Sequence, residues 1–225
     1  MIARSHLVGM FAIVLVACGF SVALYGRLPD PAPMHWNIHG VADNWGPRWE
    51  IAVLMPVIGL GTIGLMAGLP LLGPFRRNFE RFRTTYGRIC LAIVTALLAF
   101  HIIALLKGIG RSIEIGATMS IVVGLLLAVI GNWLGKVRRN FYLGIRTPWT
   151  LANDAVWERT HRVGARFMVV VGLVSALAGM VAPGWMCFAV LMGGLGAFVV
   201  WAVLYSLYWY RKLGERDELT SSADA

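Results

Sequence analysis

The chain has 225 residues, of which 58% are hydrophobic and only 14% charged, with a formal net charge of +9, and its mean hydropathy is +0.72. That balance excludes an ordinary water-soluble domain, in which about 25% of residues are charged, and indicates an integral membrane protein. The basic excess suits asymmetric placement across a bilayer and attraction to anionic membrane lipids, so no direct nucleic-acid partner is expected.

Apolar runs of the roughly 20 residues that a bilayer core requires lie at about 6–25, 50–73, 86–107, 115–135, 163–182 and 185–210. The predicted fold is therefore all-α: a six-transmembrane-helix bundle forming one domain over residues 1–213, with 214–225 a disordered cytoplasmic tail of charged and small residues. Lys and Arg in short loops mark the cytoplasmic side. Arg4, the five arginines from Arg76 to Arg88, the seven basic residues from Lys136 to Arg166, and Arg211, Lys212 and Arg216 make sixteen on one side. The other side has only Arg27, Arg48, Lys107 and Arg111. Both termini are accordingly expected in the cytoplasm.

Within the first span, Leu15-Val16-Ala17-Cys18 also matches the short apolar pattern that precedes a lipidated cysteine, although the apolar run continues to Tyr25. Cys18, Cys90 and Cys187 all fall in apolar spans and at no metal-binding spacing.

Pro29, Pro31 and Pro33 hold the chain extended as it leaves span one. They lead into the first external loop, "MHWNIHGVADNWG" from Met34 to Gly46. Asn37, Gly40, Asp43 and Asn44 favour turns, and Trp36, Trp45 and Trp49 suit the headgroup zone, which predicts a compact loop laid on the membrane surface. His35, His39 and Asp43, at offsets of four, would share one face of a helix as zinc ligands do. Gly40 and the proline-rich approach break such a helix, so no metal and no other cofactor is expected. An interfacial turn and a ligand-binding loop remain the competing readings.

Glycines in span two (Gly59, Gly61, Gly64, Gly68) and span six (Gly193, Gly194, Gly196) are expected to let helices approach closely. His101, in the outer part of span three, is expected to bond a neighbouring helix, and Lys107 to snorkel to the interface.

The segment from Gly131 to Phe167, between spans four and five, is too polar to be buried in lipid and too aromatic for a disordered linker. It is predicted to be a structured cytoplasmic loop capping the bundle. Pro148 ends any helix before it, and Asn153 followed by Asp154 reads as an N-cap with an acid in the first turn. The helix so begun runs into span five, with Trp157 and His161 on one face and Glu158 and Arg162 spaced as an ion pair. His161, with Thr160, Thr147, Thr150, Asp154 or Glu158 nearby, could do acid–base work. No nucleophile elbow, HExxH, phosphate loop or dinucleotide fingerprint is present, so an enzyme is not required.

Taken together, the two polar segments resemble the SdpI-like family of immunity proteins against the sporulation-delaying toxin, whose N-terminal region is of the DUF1648 type. The first match is carried by Pro33, His35, Trp36, Asn37, Gly40, Asp43 and Trp45. The second is carried by Gly131-Asn132, Lys136, Arg138, Asn140, then Gly144-Ile145-Arg146-Thr147-Pro148-Trp149-Thr150-Leu151, Val156-Trp157 and Thr160-His161-Arg162. His39 and Arg139 depart from the family pattern, which weakens any His35/His39 pairing.

The resemblance implies a multi-pass protein of the bacterial cytoplasmic (inner) membrane that protects against an envelope-active peptide toxin, its ligand being that peptide or a lipid-like molecule. It also implies that the protein could signal by holding a cytoplasmic transcriptional repressor. His35, Trp36, Asn37, Gly40, Asp43 and Trp45 would then bind ligand. The cytoplasmic motif of Asn132, Asn140, Arg146, Thr147, Pro148, Trp149, Trp157, Thr160 and His161 would hold the fold or dock a partner. The rival readings are a membrane-embedded enzyme using His35/Asp43 or His161, and a small-molecule transporter.

Overall fold

The structure, a computed structural model, describes residues 2–37, 39–72 and 76–223, and the side chains of all but 76, 77 and 215–223 among them. The helices are α1 (Arg4–Leu24), α2 (Arg48–Leu72), α3 (Arg76–Gly108), α4 (Ile115–Leu134), the short α5 (Pro148–Ala152), α6 (Asp154–Val181) and α7 (Gly184–Ala223). Six of these, all but α5, are long and apolar enough to cross a membrane. Large apolar side chains such as Leu15, Val22, Leu65, Leu177, Val181 and Val199 point outward along them. A water-soluble surface does not tolerate so much exposed apolar area, whereas lipid does. Of the tail expected at 214–225, the backbone as far as Ala223 continues α7, while residues 224 and 225 and the side chains from 215 onward lie outside the described residues.

Two boundaries differ from the apolar runs for physical reasons. Span five starts earlier, at Asp154, because Asn153 caps it: its side-chain oxygen accepts from the N–H groups of Ala155 (2.8 Å) and Val156 (3.2 Å). Helix α3 also begins well before its apolar stretch, and it is kinked at Phe82 (φ −129°, ψ 15°). There Phe79, Phe82 and Tyr86 turn inward to pack edge-on against one another.

The first loop is not merely a compact turn. It forms an antiparallel hairpin of β1 (Ala32–Trp36) and β2 (Ala42–Gly46), with Ala32 opposite Gly46 and Trp36 opposite Ala42. The all-helical description therefore holds for the spans and not for this loop. Ladder irregularities on either side of His35 hide the strand alternation from sequence reading.

Helices α1, α2 and α3 pack on one another, as do α4, α6 and α7, and α3 against α4 joins the two halves. In the first half, Ser21 Oγ donates to Ala52 O (2.6 Å) and lies 2.7 Å from His101 Nε2, which links all three helices through one buried hydroxyl. This is the neighbour bond expected of His101. Lys107, at the end of α3, donates to Ile113 O at 2.8 Å.

The second half is closed by a seam of glycines between α4 and α6. A Cβ at Gly124 would collide with backbone at Gly172 and Ala176, one at Gly172 with Gly124 and Ala128, and one at Gly131 would lie 2.8 Å from Val169 N. Such contacts need residues without side chains. The packing role expected of the span-two and span-six glycines holds only at Gly59, against Val14, and at Gly194, against Val171. At Gly61, Gly64, Gly68, Gly193 and Gly196 an added Cβ would meet nothing within 4 Å. Gly61, Gly64, Gly193 and Gly196 are exposed; the sequence could not show this, since a helix that is apolar all round gives no sign of which face meets protein.

Candidate functional site

Two clusters of polar residues lie at opposite ends of the bundle. The hairpin follows the end of α1, and the α5 segment follows the end of α4. At the hairpin end, Asn37 builds the turn: its side-chain oxygen accepts from His39 N (2.9 Å) and Val41 N (3.1 Å), and Gly40 takes a left-handed φ of 72°. This closes the strands so that His35 Nδ1 and Asp43 Oδ1 meet at 2.6 Å across the hairpin, with the side chains 67% and 42% exposed.

The hairpin's inner face is apolar. Trp36 and Met34 pack against Leu28, Ala32, Ile51 and Leu105. Its outer face carries Trp45, with Trp49 following at the start of α2, and both are exposed. Arg48 ties the base down, pairing with Asp30 at 3.4 Å and lying over the Tyr25 ring. His39 is exposed in the turn, and among the described residues no three His, Cys, Asp or Glu side chains come together to hold a metal ion.

At the other end, residues 135–153 form an ordered cap built around two buried side chains. Asn140 is fully enclosed. Its Nδ2 donates to Arg138 O (2.7 Å) and Leu143 O (3.0 Å), while its Oδ1 accepts from Tyr142 N (2.9 Å) and Leu143 N (2.7 Å), so all its capacity is used. His161 is equally enclosed. Ile145 N–H donates to its Nε2 at 3.0 Å, so the proton sits on Nδ1, which lies 2.9 Å from Trp157 O. The two rings that share a helix face stack, with centroids 3.9 Å apart, and Trp157 Nε1 donates to Val137 O at 2.8 Å.

Around this centre, Thr147 caps α5 in a reciprocal box with Thr150, with Pro148 in the first turn. Thr150 Oγ1 donates to Ile145 O (2.8 Å), and Thr147 Oγ1 to Ser206 Oγ of α7 (3.0 Å). Arg146 bonds Phe141 O, Arg139 pairs with Asp154 at 2.8 Å, and Arg138 pairs with Glu158. Glu158 thus reaches across to the loop rather than along its own helix to Arg162, the partner its spacing suggests. Tyr142 stacks on Phe82, and burial pushes its phenol up to about 12, so the ring stays neutral.

The structure brings together Asn140, Arg146, Thr147, Pro148, Trp157 and His161 of the motif. Trp149 is half-buried beside them and supplies the carbonyl that accepts from Asn153 N. Thr160 is buried in the same region, its hydroxyl without a partner among the described residues. Asn132 faces outward on α4 and stands apart from the network. Sequence reasoning missed Ser206, which lies 59 residues from Thr147 and had no local signal. It also missed the contact of Gly144 with the imidazole, where the only clue was a glycine set in a dense polar run.

A bundle of six long apolar helices with outward apolar faces and two ordered polar caps defines a multi-pass helical membrane protein. Residues 136–206, the second cap with α6 and most of α7, match the SdpI/YfhL protein family. Residues 12–60, from α1 through the hairpin into α2, match a domain of unknown function, DUF1648. Along its length the chain is 24% identical over 209 residues to Immunity protein SdpI of Bacillus subtilis (strain 168), which covers 91% of this chain and 96% of that protein. The SdpI-like resemblance drawn from the residues therefore holds. No solved structure matches the chain.

Proposed function

We propose that the chain is an immunity-type receptor of the bacterial cytoplasmic membrane that intercepts an envelope-active peptide toxin at its hairpin. The hairpin faces outward and both termini face the cytoplasm, as the distribution of basic residues favours. The observation that carries the reading is the His35–Asp43 pair. It is held on an ordered two-stranded platform yet left largely exposed, with the exposed Trp45 and Trp49 at the same end of the fold. A polar pair flanked by interfacial aromatic rings suits an amphipathic peptide arriving along the bilayer. Trp36, Asn37 and Gly40 shape that platform.

The α5 cap is, in this reading, the structural lock of the second half. Its exposed arginines, Arg146 among them, form the cytoplasmic face on which a transcriptional repressor would dock. The enzyme alternative is weaker on geometry. Both nitrogens of His161 are engaged by backbone, which leaves none for proton transfer, and the His35–Asp43 pair lies in the open, exposed to solvent. The transporter alternative finds beside His101 a cavity of about 10 Å³, room for about one water.

The test is challenge of cells expressing the chain with sporulation-delaying toxin and other amphipathic envelope-active peptides. Wild type is expected to protect, and His35→Ala and Asp43→Ala to lose protection while accumulating normally in the membrane. Equal protection by wild type and both variants, or none by wild type, overturns the reading.

A further inference from the structure

A groove runs along the outside of the α3/α4 joint between the two halves. Its walls are Leu91, Ala92, Ala96 and Ala99 of α3 against Leu125 and Val129 of α4, and its volume is about 360 Å³. It is apolar along its length and ends at Arg88 and Trp133, where the guanidinium lies over the indole.

One turn back along α3, between it, the segment that follows α4 and the start of α6, lies a second cavity of about 390 Å³ and opposite character. It is lined by Arg81, Thr85, Lys136, Arg138, Arg162 and a single carboxylate, Glu158. Glu158 is taken by Arg138. Arg81, Lys136 and Arg162 form no ion pair among the described residues. Gly135 lies beside α6 here: a Cβ on it would make ordinary contact with Arg162 Cα at 3.8 Å. Three cations without an ion-pair partner among the described residues thus sit close to one end of an apolar groove.

We propose that this composite site binds an anionic glycerophospholipid. Its phosphate sits among Arg81, Lys136 and Arg162, and one acyl chain lies in the α3/α4 groove. Charge complementarity fixes the head, since cationic pockets between spans hold anionic headgroups, and Arg offers paired donors to phosphate oxygens. The groove's nearness to the chamber, with Arg88 and Trp133 lining the one and Thr85 and Gly135, a turn or less away, lining the other, leaves room for a tail beside the head and separates a lipid from a soluble phosphate, which would use only the chamber. A peptide is disfavoured, because both groove walls are helices whose backbone groups are already paired. An extended chain there would leave its own N–H and C=O groups unsatisfied in lipid.

The test uses the full chain purified in detergent and stripped of lipid. Its melting midpoint is read while phosphatidylglycerol, phosphatidylcholine or inorganic phosphate is titrated in. Phosphatidylglycerol is expected to raise the midpoint and the other two to leave it in place. The triple variant Arg81→Gln/Lys136→Gln/Arg162→Gln is expected to weaken the apparent affinity at least about tenfold. Ala99→Trp, which fills the groove without altering charge, is expected to weaken it as well, whereas Arg211→Gln/Lys212→Gln on α7 is not.

The proposal is overturned if the triple variant and Ala99→Trp respond as wild type does, if the α7 control loses as much, or if inorganic phosphate reproduces the shift. Should the groove variants fail to fold, photoactivatable phosphatidylglycerol on the wild-type chain decides the matter. Labelling of α3 and α4 supports the site, and labelling spread evenly over all spans refutes it.

Discussion

Gly144 shows how tightly a single position can be constrained. Its φ is +114°, and a Cβ there would collide with His161 Nε2, the atom that accepts the Ile145 N–H. Gly144→Ala therefore combines backbone strain with displacement of a buried hydrogen bond. Together these should destabilise the fold by about 3 kcal/mol, visible as a lowered melting midpoint in detergent; an unchanged midpoint would contradict the geometry. The exposed His35–Asp43 pair belongs to a different energetic class. Surface ion pairs contribute about 0–1 kcal/mol, so loss of protection in His35→Ala cannot be ascribed to unfolding.

How much of this was legible depended on sequence distance. Asn153 as a cap and Trp157 with His161 on one face could be read because helical geometry fixes neighbours four residues apart. The imidazole's meeting with Gly144 and Ile145, and the Thr147–Ser206 bond, could not, since each requires the loop to fold back on elements not adjacent in the chain.

Between elements, the decisive contacts are backbone to backbone. Gly124→Leu or Gly172→Leu should drive α4 and α6 apart and leave protein that aggregates on extraction, whereas Gly64→Ala, on an outward face, should melt as wild type does. Gel filtration and thermal melting of the three variants distinguish them; a tolerated Gly172→Leu would refute the seam. The six spans were legible from apolar run length, because a bilayer imposes that length. The seam was not, because in apolar helices lipid-facing and protein-facing glycines look alike. The hairpin was missed for another reason. Its strands are five residues each, one contains a proline, and the register is irregular, so no alternation survives.

For the whole molecule, the sign of the charge asymmetry predicts which cap faces outward. With the native cysteines replaced, Val41→Cys at the hairpin turn should react with a membrane-impermeant maleimide in intact cells. Arg146→Cys in the α5 cap should react only after permeabilisation. The reverse pattern would invert the proposed topology and move the ligand-facing role to the other cap.

The division into two triplets of helices also sets an order of construction. Each triplet is drawn from its own stretch of the chain, and the first holds its Ser21–His101 bond without help from the second. A ribosome delivering the chain from its N-terminus completes α1 to α3 while α4 is still being made, and domains generally fold as units in that order. Helix α4 must then wait for α6 before its glycines find a partner. The two halves are then also joined where Tyr142 of the later half enters the ring of Phe79, Phe82 and Tyr86 of the earlier half.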